Sequence, residues 1–136
     1  MKVVTGVLLV GLVALAAAAL PALGALKPQT ISITSVEVQS HQQGSNIFIV
    51  NDNDYSGKTK VGQDTLTCNT QTSLCDVVVS LAGGNILAHF KSAANATSGS
   101  GQITGGTKGF AGATGTLTYK NLNAKGTRTA VTLKIT

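Results

Sequence analysis

Apolar residues fall into two regimes along this chain. Positions 7–20 form a nearly unbroken apolar run, preceded by Lys2 and the α-amino group and followed by Pro21, Ala22, Leu23 and Gly24. Positive charge, an apolar stretch and then small residues is the order of a secretory signal. Ala22 and Gly24 put small side chains where a signal peptidase reads them, so the sequence predicts a signal helix within residues 1–24 and cleavage before Ala25. The bond after Ala25 is the second choice. The competing reading is an uncleaved anchor, because residues 3–26 could span ~30 Å of hydrocarbon as a helix. Pro21 and Gly24 oppose it, since they break the helix where a peptidase needs extended chain.

Beyond residue 24 the apolar positions come in short runs at regular spacing, at residues 30–39, 46–51, 61–68, 75–81, 86–91, 102–104, 115–119 and 130–135. Ile86, Ala88 and Phe90 alternate against Leu87, His89 and Lys91, and Val131, Leu133 and Ile135 share one face, as strands require. In the first run Ile31 and Ile33 alternate and Val36 and Val38 then take the other parity, which suggests a β-bulge. The stretch 52–60, containing Ser56-Gly57, reads as a loop, and Ala82-Gly83-Gly84-Asn85 as a tight turn. No long 3.6-residue periodicity follows the signal, so crossover helices and a parallel sheet are not expected. The pattern is an antiparallel meander, closed as a barrel or stacked as a sandwich.

Composition sharpens this picture. Residues 25–136 are of single-domain length, long enough to bury one core and too short for two. Gly, Thr, Ser and Asn dominate them, a mixture suited to strands and turns. The formal charge is +5, one unit of it from Lys2, and the remaining lysines are scattered. With few aromatic side chains to stack on bases, nucleic-acid binding is not expected. Cys68 and Cys75 flank a polar, turn-like hexapeptide. In an oxidising compartment they predict a disulfide across a hairpin, since two cysteines alone cannot build a structural zinc site.

Several chemical-looking features lack the context that would give them a role. Gly105-Gly106-Thr107-Lys108 is not in P-loop order, and no helical pattern follows the glycines at 106, 109 and 112. Their simpler role is to supply tight turns and sharp barrel corners. No serine stands in a Gly-x-Ser-x-Gly elbow. His89 has no second histidine or nearby carboxylate in sequence, which favours a lumen or surface polar group over a metal ligand. His41 lies in a polar turn, Tyr55 and Tyr119 either line a pocket mouth or pack, and Asn95-Ala96-Thr97 fits a glycosylation sequon.

The run Ile103-Thr104-Gly105-Gly106-Thr107-Lys108-Gly109-Phe110-Ala111-Gly112-Ala113-Thr114-Gly115 resembles the "TGGTG-aromatic-x-GAxG" signature of plant allene oxide cyclases and dirigent proteins. Residues 46–52, Tyr55-Ser56-Gly57, Val61-Gly62, Cys68 and Gly84-Asn85-Ile86 follow the same layout in order. The resemblance implies an all-β, eight-stranded antiparallel closed barrel over residues 25–136, with an apolar lumen open at one end and assembly as a homotrimer. Glu37 matches a glutamate of the cyclases, and Gln39 replaces an asparagine two residues on. Ile49 stands where the cyclases have a proline. Asp52 replaces a cyclase asparagine and is similar to the aspartate of dirigent proteins, whose arginine partner has no evident counterpart.

From this resemblance Glu37 and Asp52 are the expected catalytic residues, with Gln39, Ile49, Tyr55 and His89 as expected ligand-binding residues. Their plainer roles are a solvated strand carboxylate for Glu37 and a loop cap for Asp52. Inside an apolar lumen, desolvation would raise the pKa of Glu37 and let it share a proton with a ligand. The expected function is a secreted or otherwise extracytoplasmic barrel binding a small hydrophobic or phenolic molecule. It would guide stereoselective coupling of radicals made by a separate oxidase. The alternatives are an isomerase or cyclase of the allene oxide cyclase type, and a non-catalytic surface module. No metal, organic cofactor or membrane partner after cleavage is expected.

Overall fold

The structure, a computed structural model, describes residues 25–136, so the expected signal helix and its cleavage site lie outside the described residues. Eight strands follow one another in a closed antiparallel barrel. They are β1 (Gln29–Gln43), β2 (Ile47–Ser56), β3 (Thr59–Asn69), β4 (Leu74–Leu81), β5 (Gly84–Lys91), β6 (Ser98–Gly106), β7 (Gly115–Asn121) and β8 (Arg128–Ile135). Each strand pairs with its neighbours in sequence, and β1 pairs with β8 from Gln29↔Ile135 to Val36↔Arg128, closing the circle. Closure leaves no unpaired edge and excludes the stacked-sheet alternative. Among the described residues no helix is long and apolar enough to cross a membrane.

The interior has two halves. Toward the β2–β3, β4–β5 and β6–β7 turns it is packed solid by Ile33, Ile86, Leu133 and Ile135, all at most 5% exposed. The β6–β7 connection contributes a short 3₁₀ turn, Lys108–Phe110, whose Phe110 ring is buried and closes this end. The glycine-rich segment thus works as a structural cap, in line with its expected conformational role. Toward the β1–β2, β3–β4, β5–β6 and β7–β8 loops the lumen is hollow.

Glycines on the inner face of β6 help to make room there. A Cβ on Gly99 would lie 2.7 Å from the Tyr119 ring, and one on Gly101 would lie 2.4 Å from Phe90 Cβ. Phe90 and Tyr119 occupy this space with ring centroids 5.2 Å apart, and Tyr119 Oη is 2.9 Å from Ser92 Oγ.

Two expectations about β1 and β2 need correction. The predicted loop at 52–60 is strand almost throughout, with only Gly57-Lys58 between β2 and β3. Its inward positions are the carboxyls Asp52 and Asp54, so the hydrophobic alternation that marks a strand is missing. The bulge in β1 exists, but it lies between Glu37 and Gln39 rather than upstream of Val36. Ser35 and Glu37 therefore take the inward positions, and Val38, the extra residue, is 65% exposed.

Cys68 and Cys75 stand directly opposite each other on β3 and β4 and are joined by a disulfide. Cys75 is buried in the core and Cys68 lines the lumen, so the bridge forms part of the inner wall near the rim.

Candidate functional site

The hollow half of the barrel encloses a cavity of about 290 Å³. A second hollow of about 350 Å³ adjoins it at the rim, under the β3–β4 and β5–β6 loops, and shares Phe48, Leu66, Cys68, Ser92 and Ala96 with it. This is the size range of small-molecule sites.

Its walls differ chemically. Val77 and Val79 of β4, Phe90 of β5, Leu117 and Tyr119 of β7 and Val131 of β8 make one side apolar. The other side, from β1 to β3, carries carboxyls. Glu37 pairs with Asp52 across β1–β2, and Asp52 pairs with Asp64 across β2–β3. Residues directly opposite in antiparallel strands point the same way, so Glu37, Asp52 and Asp64 form a row facing the lumen, and all three line the cavity.

Asp54, two residues beyond Asp52 on the same face of β2, is fully buried beneath this row. Ser35 Oγ lies 2.7 Å from Asp54 Oδ1 and 2.9 Å from Asp64 Oδ2. A hydroxyl has one proton to donate and cannot donate to two carboxylates at once. Both contacts are satisfied when one carboxyl is itself protonated.

The electrostatics assign that proton to Asp64. Its pKa is pushed up to about 8, by burial first, then by the charges of Asp54 and Asp52, and further by its hydrogen bond to Asp54. Burial also raises Asp54, while hydrogen bonds from Ser35 and Asp64 and the charge of Lys60 pull it back. At neutral pH the pair therefore keeps at least one proton, on Asp64. Asp52 is raised to about 6, by burial, then by Asp54, then by Glu37. Asp52 Oδ1 and Asp54 Oδ2 are buried without a hydrogen-bond partner in the protein. Ser40 Oγ donates to Glu37 Oε1 at 2.6 Å.

Of the residues singled out from sequence, Glu37 and Asp52 stand side by side in the cavity wall. Gln39, Ile49, Tyr55 and His89 do not line the cavity, and each has a structural reason. The bulge at Val38 breaks the two-residue alternation, so Gln39 pairs with Asn51 and shares its outward face. Ile49 and Tyr55 alternate with the inward Phe48, Val50, Asp52 and Asp54 of β2. His89 alternates with the buried Ala88 and Phe90, and its Nδ1 lies 2.7 Å from Asp76 Oδ1 on the outer surface. Sequence reading missed Ser35, Asp54 and Asp64. For Asp64 a signal existed, because Asp64, Leu66 and Cys68 share one strand parity.

Among the described residues no cluster of three or more His, Cys, Asp or Glu is arranged to hold a metal ion. The carboxyl row is suited instead to hydrogen-bond donors, cations and protons.

The architecture is thus a closed eight-stranded antiparallel barrel with a hollow at one end. No family model and no curated protein matches the chain. Solved structures do match. One is a pyocyanin demethylase, with a TM-score of 0.66 and 23% identity over 79% of this chain and 100% of that one. Another is a pterocarpan synthase dirigent protein, with a TM-score of 0.54 and 12% identity over 80% of this chain and 83% of that one. Both share the eight-stranded barrel fold.

Proposed function

We propose that this protein takes a small hydrophobic molecule into its lumen and assists its isomerisation or cyclisation by proton transfer. The carrying observation is the pairing of Asp52 with Asp64 in one cavity wall. Asp64, raised to about 8, is a carboxylic acid at neutral pH. Asp52, raised to about 6, is mostly ionised there, with a proton affinity close to the working range of a general base. Two carboxyls whose surroundings separate their pKa values can act as acid and base on one bound molecule. Glu37 extends the row toward the mouth and is placed to steer a cationic intermediate. The apolar wall holds the body of the molecule and excludes water.

A small bicyclic ketone tests this reading. Loss of deuterium from α-deuterated 2-indanone should be accelerated by the protein. The rate should rise as pH increases through about 6, as Asp52 ionises, and fall above about 8, as Asp64 loses its proton. Asp52→Asn should lower it by about 10² or more. A rate unaffected by both Asp52→Asn and Asp64→Asn removes the acid–base role.

A second reading is favoured by the fold shared with a dirigent protein. Here the lumen orients radicals made by a separate oxidase and performs no bond chemistry itself. Coniferyl alcohol with a one-electron oxidant then gives an enantiomerically enriched dimer only when the protein is present, and a racemic product discards it for that substrate. The resemblance to cyclases and dirigent proteins further implies a homotrimer, which light scattering can weigh. An extracytoplasmic destination is supported by the Cys68–Cys75 disulfide, since such bonds persist in oxidising compartments.

A further inference from the structure

The cavity wall carries negative charge with no cation of the described residues paired to it; the charge of Lys60 reaches Asp54 without forming an ion pair. Among the described residues the one cation lining it is Lys125, an exposed side chain in the β7–β8 loop at the rim. No ion pair within the described residues involves Glu37, Asp52, Asp54 or Asp64. Two buried carboxylate oxygens, Asp52 Oδ1 and Asp54 Oδ2, have no donor, and Asp54 is fully buried. A buried carboxylate oxygen without a donor is costly, and a charged donor brought beside it recovers that cost. The other side of the same cavity offers Val79, Phe90, Leu117 and the Tyr119 ring, a surface suited to an apolar body.

We propose that the lumen selects a compact hydrophobic cation, an aromatic or alicyclic body bearing one protonated nitrogen. Its nitrogen sits against Glu37 and Asp52, and its body against Val79, Phe90 and Leu117. This rests on the reading of the lumen as a ligand site but not on any reaction there. The tyrosine and phenylalanine rings add a face that attracts cations, and the carboxyl row rejects anions by like-charge repulsion.

The pH dependence follows from the groups that face the ligand. They are Glu37 from β1, Asp52 and the underlying Asp54 from β2, Asp64 from β3, Tyr119 from β7 and Lys125 from the loop before β8; β4, β5, β6 and β8 contribute no titrating group. Of these, Asp52 changes charge near pH 6. Cation binding there should therefore weaken on acidification and release protons.

Three probes of one shape and different charge test the proposal by isothermal titration: 1-naphthylmethylammonium, 1-naphthalenemethanol and 1-naphthoate. At pH 7.5 the ammonium should bind at least about tenfold more tightly than the alcohol, and the carboxylate least of all. The advantage should shrink toward pH 5. Near pH 6, titrations in buffers of different ionisation enthalpy should show protons released.

Asp52→Asn and, independently, Glu37→Gln should reduce the ammonium-to-alcohol ratio, whereas Asp76→Asn on the outer surface leaves it unchanged. If the alcohol binds as tightly as the ammonium, charge selection is wrong while lumen binding stands. Equal loss of affinity for all three probes in the Asp76 variant also overturns the proposal, because binding is then on the outside. If no probe binds, the ligand site and this inference fall together.

Discussion

Asp64 shows how far the barrel interior alters a side chain. Unfolded, it is an ordinary carboxyl with a reference pKa of 3.8, and folded it is raised to about 8. Between those values the folded chain binds more protons than the unfolded one. Stability from this group is therefore full below about pH 4 and is lost as pH rises toward 8. Asp64→Asn mimics the neutral acid, so urea melts should show little change at pH 4 to 5 and about 1–3 kcal/mol of stabilisation at pH 9. A destabilised variant at pH 9 would contradict the protonation proposed here. Ser35→Ala removes a donor from a fully buried carboxyl and should cost about 1–3 kcal/mol. Resemblance brought Glu37 and Asp52 into view from sequence. Asp54 was hidden because Asn51-Asp52-Asn53-Asp54 has the composition of a loop, and Ser35 because a small polar residue in a strand says nothing of its partners.

Strand β1 illustrates what alternation can and cannot say. Its apolar residues change parity after Ile33, and the natural inference is that the chain shifts to keep Val36 and Val38 inside. The chain instead keeps its phase through Ser35 and Glu37, because the wall it meets is polar and Ser35 has two carboxyls to reach. Gln39 then leaves the lumen face on account of one inserted residue. The β3–β4 hairpin was easier to read, since both cysteines and the turn between them are local in sequence. The loop that its disulfide closes is short, so Cys68→Ala with Cys75→Ala should cost about 2 to 3 kcal/mol in a denaturant titration. No change in midpoint would mean that the closed loop is already restrained in the unfolded chain.

For the molecule as a whole, the eight runs of the sequence correspond to the eight strands, and meander order made antiparallel neighbours the simplest topology. Closure itself was not readable from spacing, which allowed a sandwich equally; it depends on β1 meeting β8, the most distant pairing in the chain. The two halves of the interior should respond differently to truncation. Leu133→Ala, in the packed half and fully buried, should cost about 2–5 kcal/mol. Leu66→Ala, at the half-buried cavity wall, should cost less than Leu133→Ala and register mainly in ligand affinity. Equal losses at both positions would argue against a hollow upper half.

The pairing of Gln29 with Ile135 also settles which way the barrel faces relative to its own ends. The strand that enters and the strand that leaves both meet the floor beside Phe110, opposite the rim where Lys125 stands. A tether, a fusion partner or a solid support joined just before β1 or just after β8 would hang beneath the vessel. The entrance would point outward into solution, so the protein can be immobilised by its tail and still fill from the top.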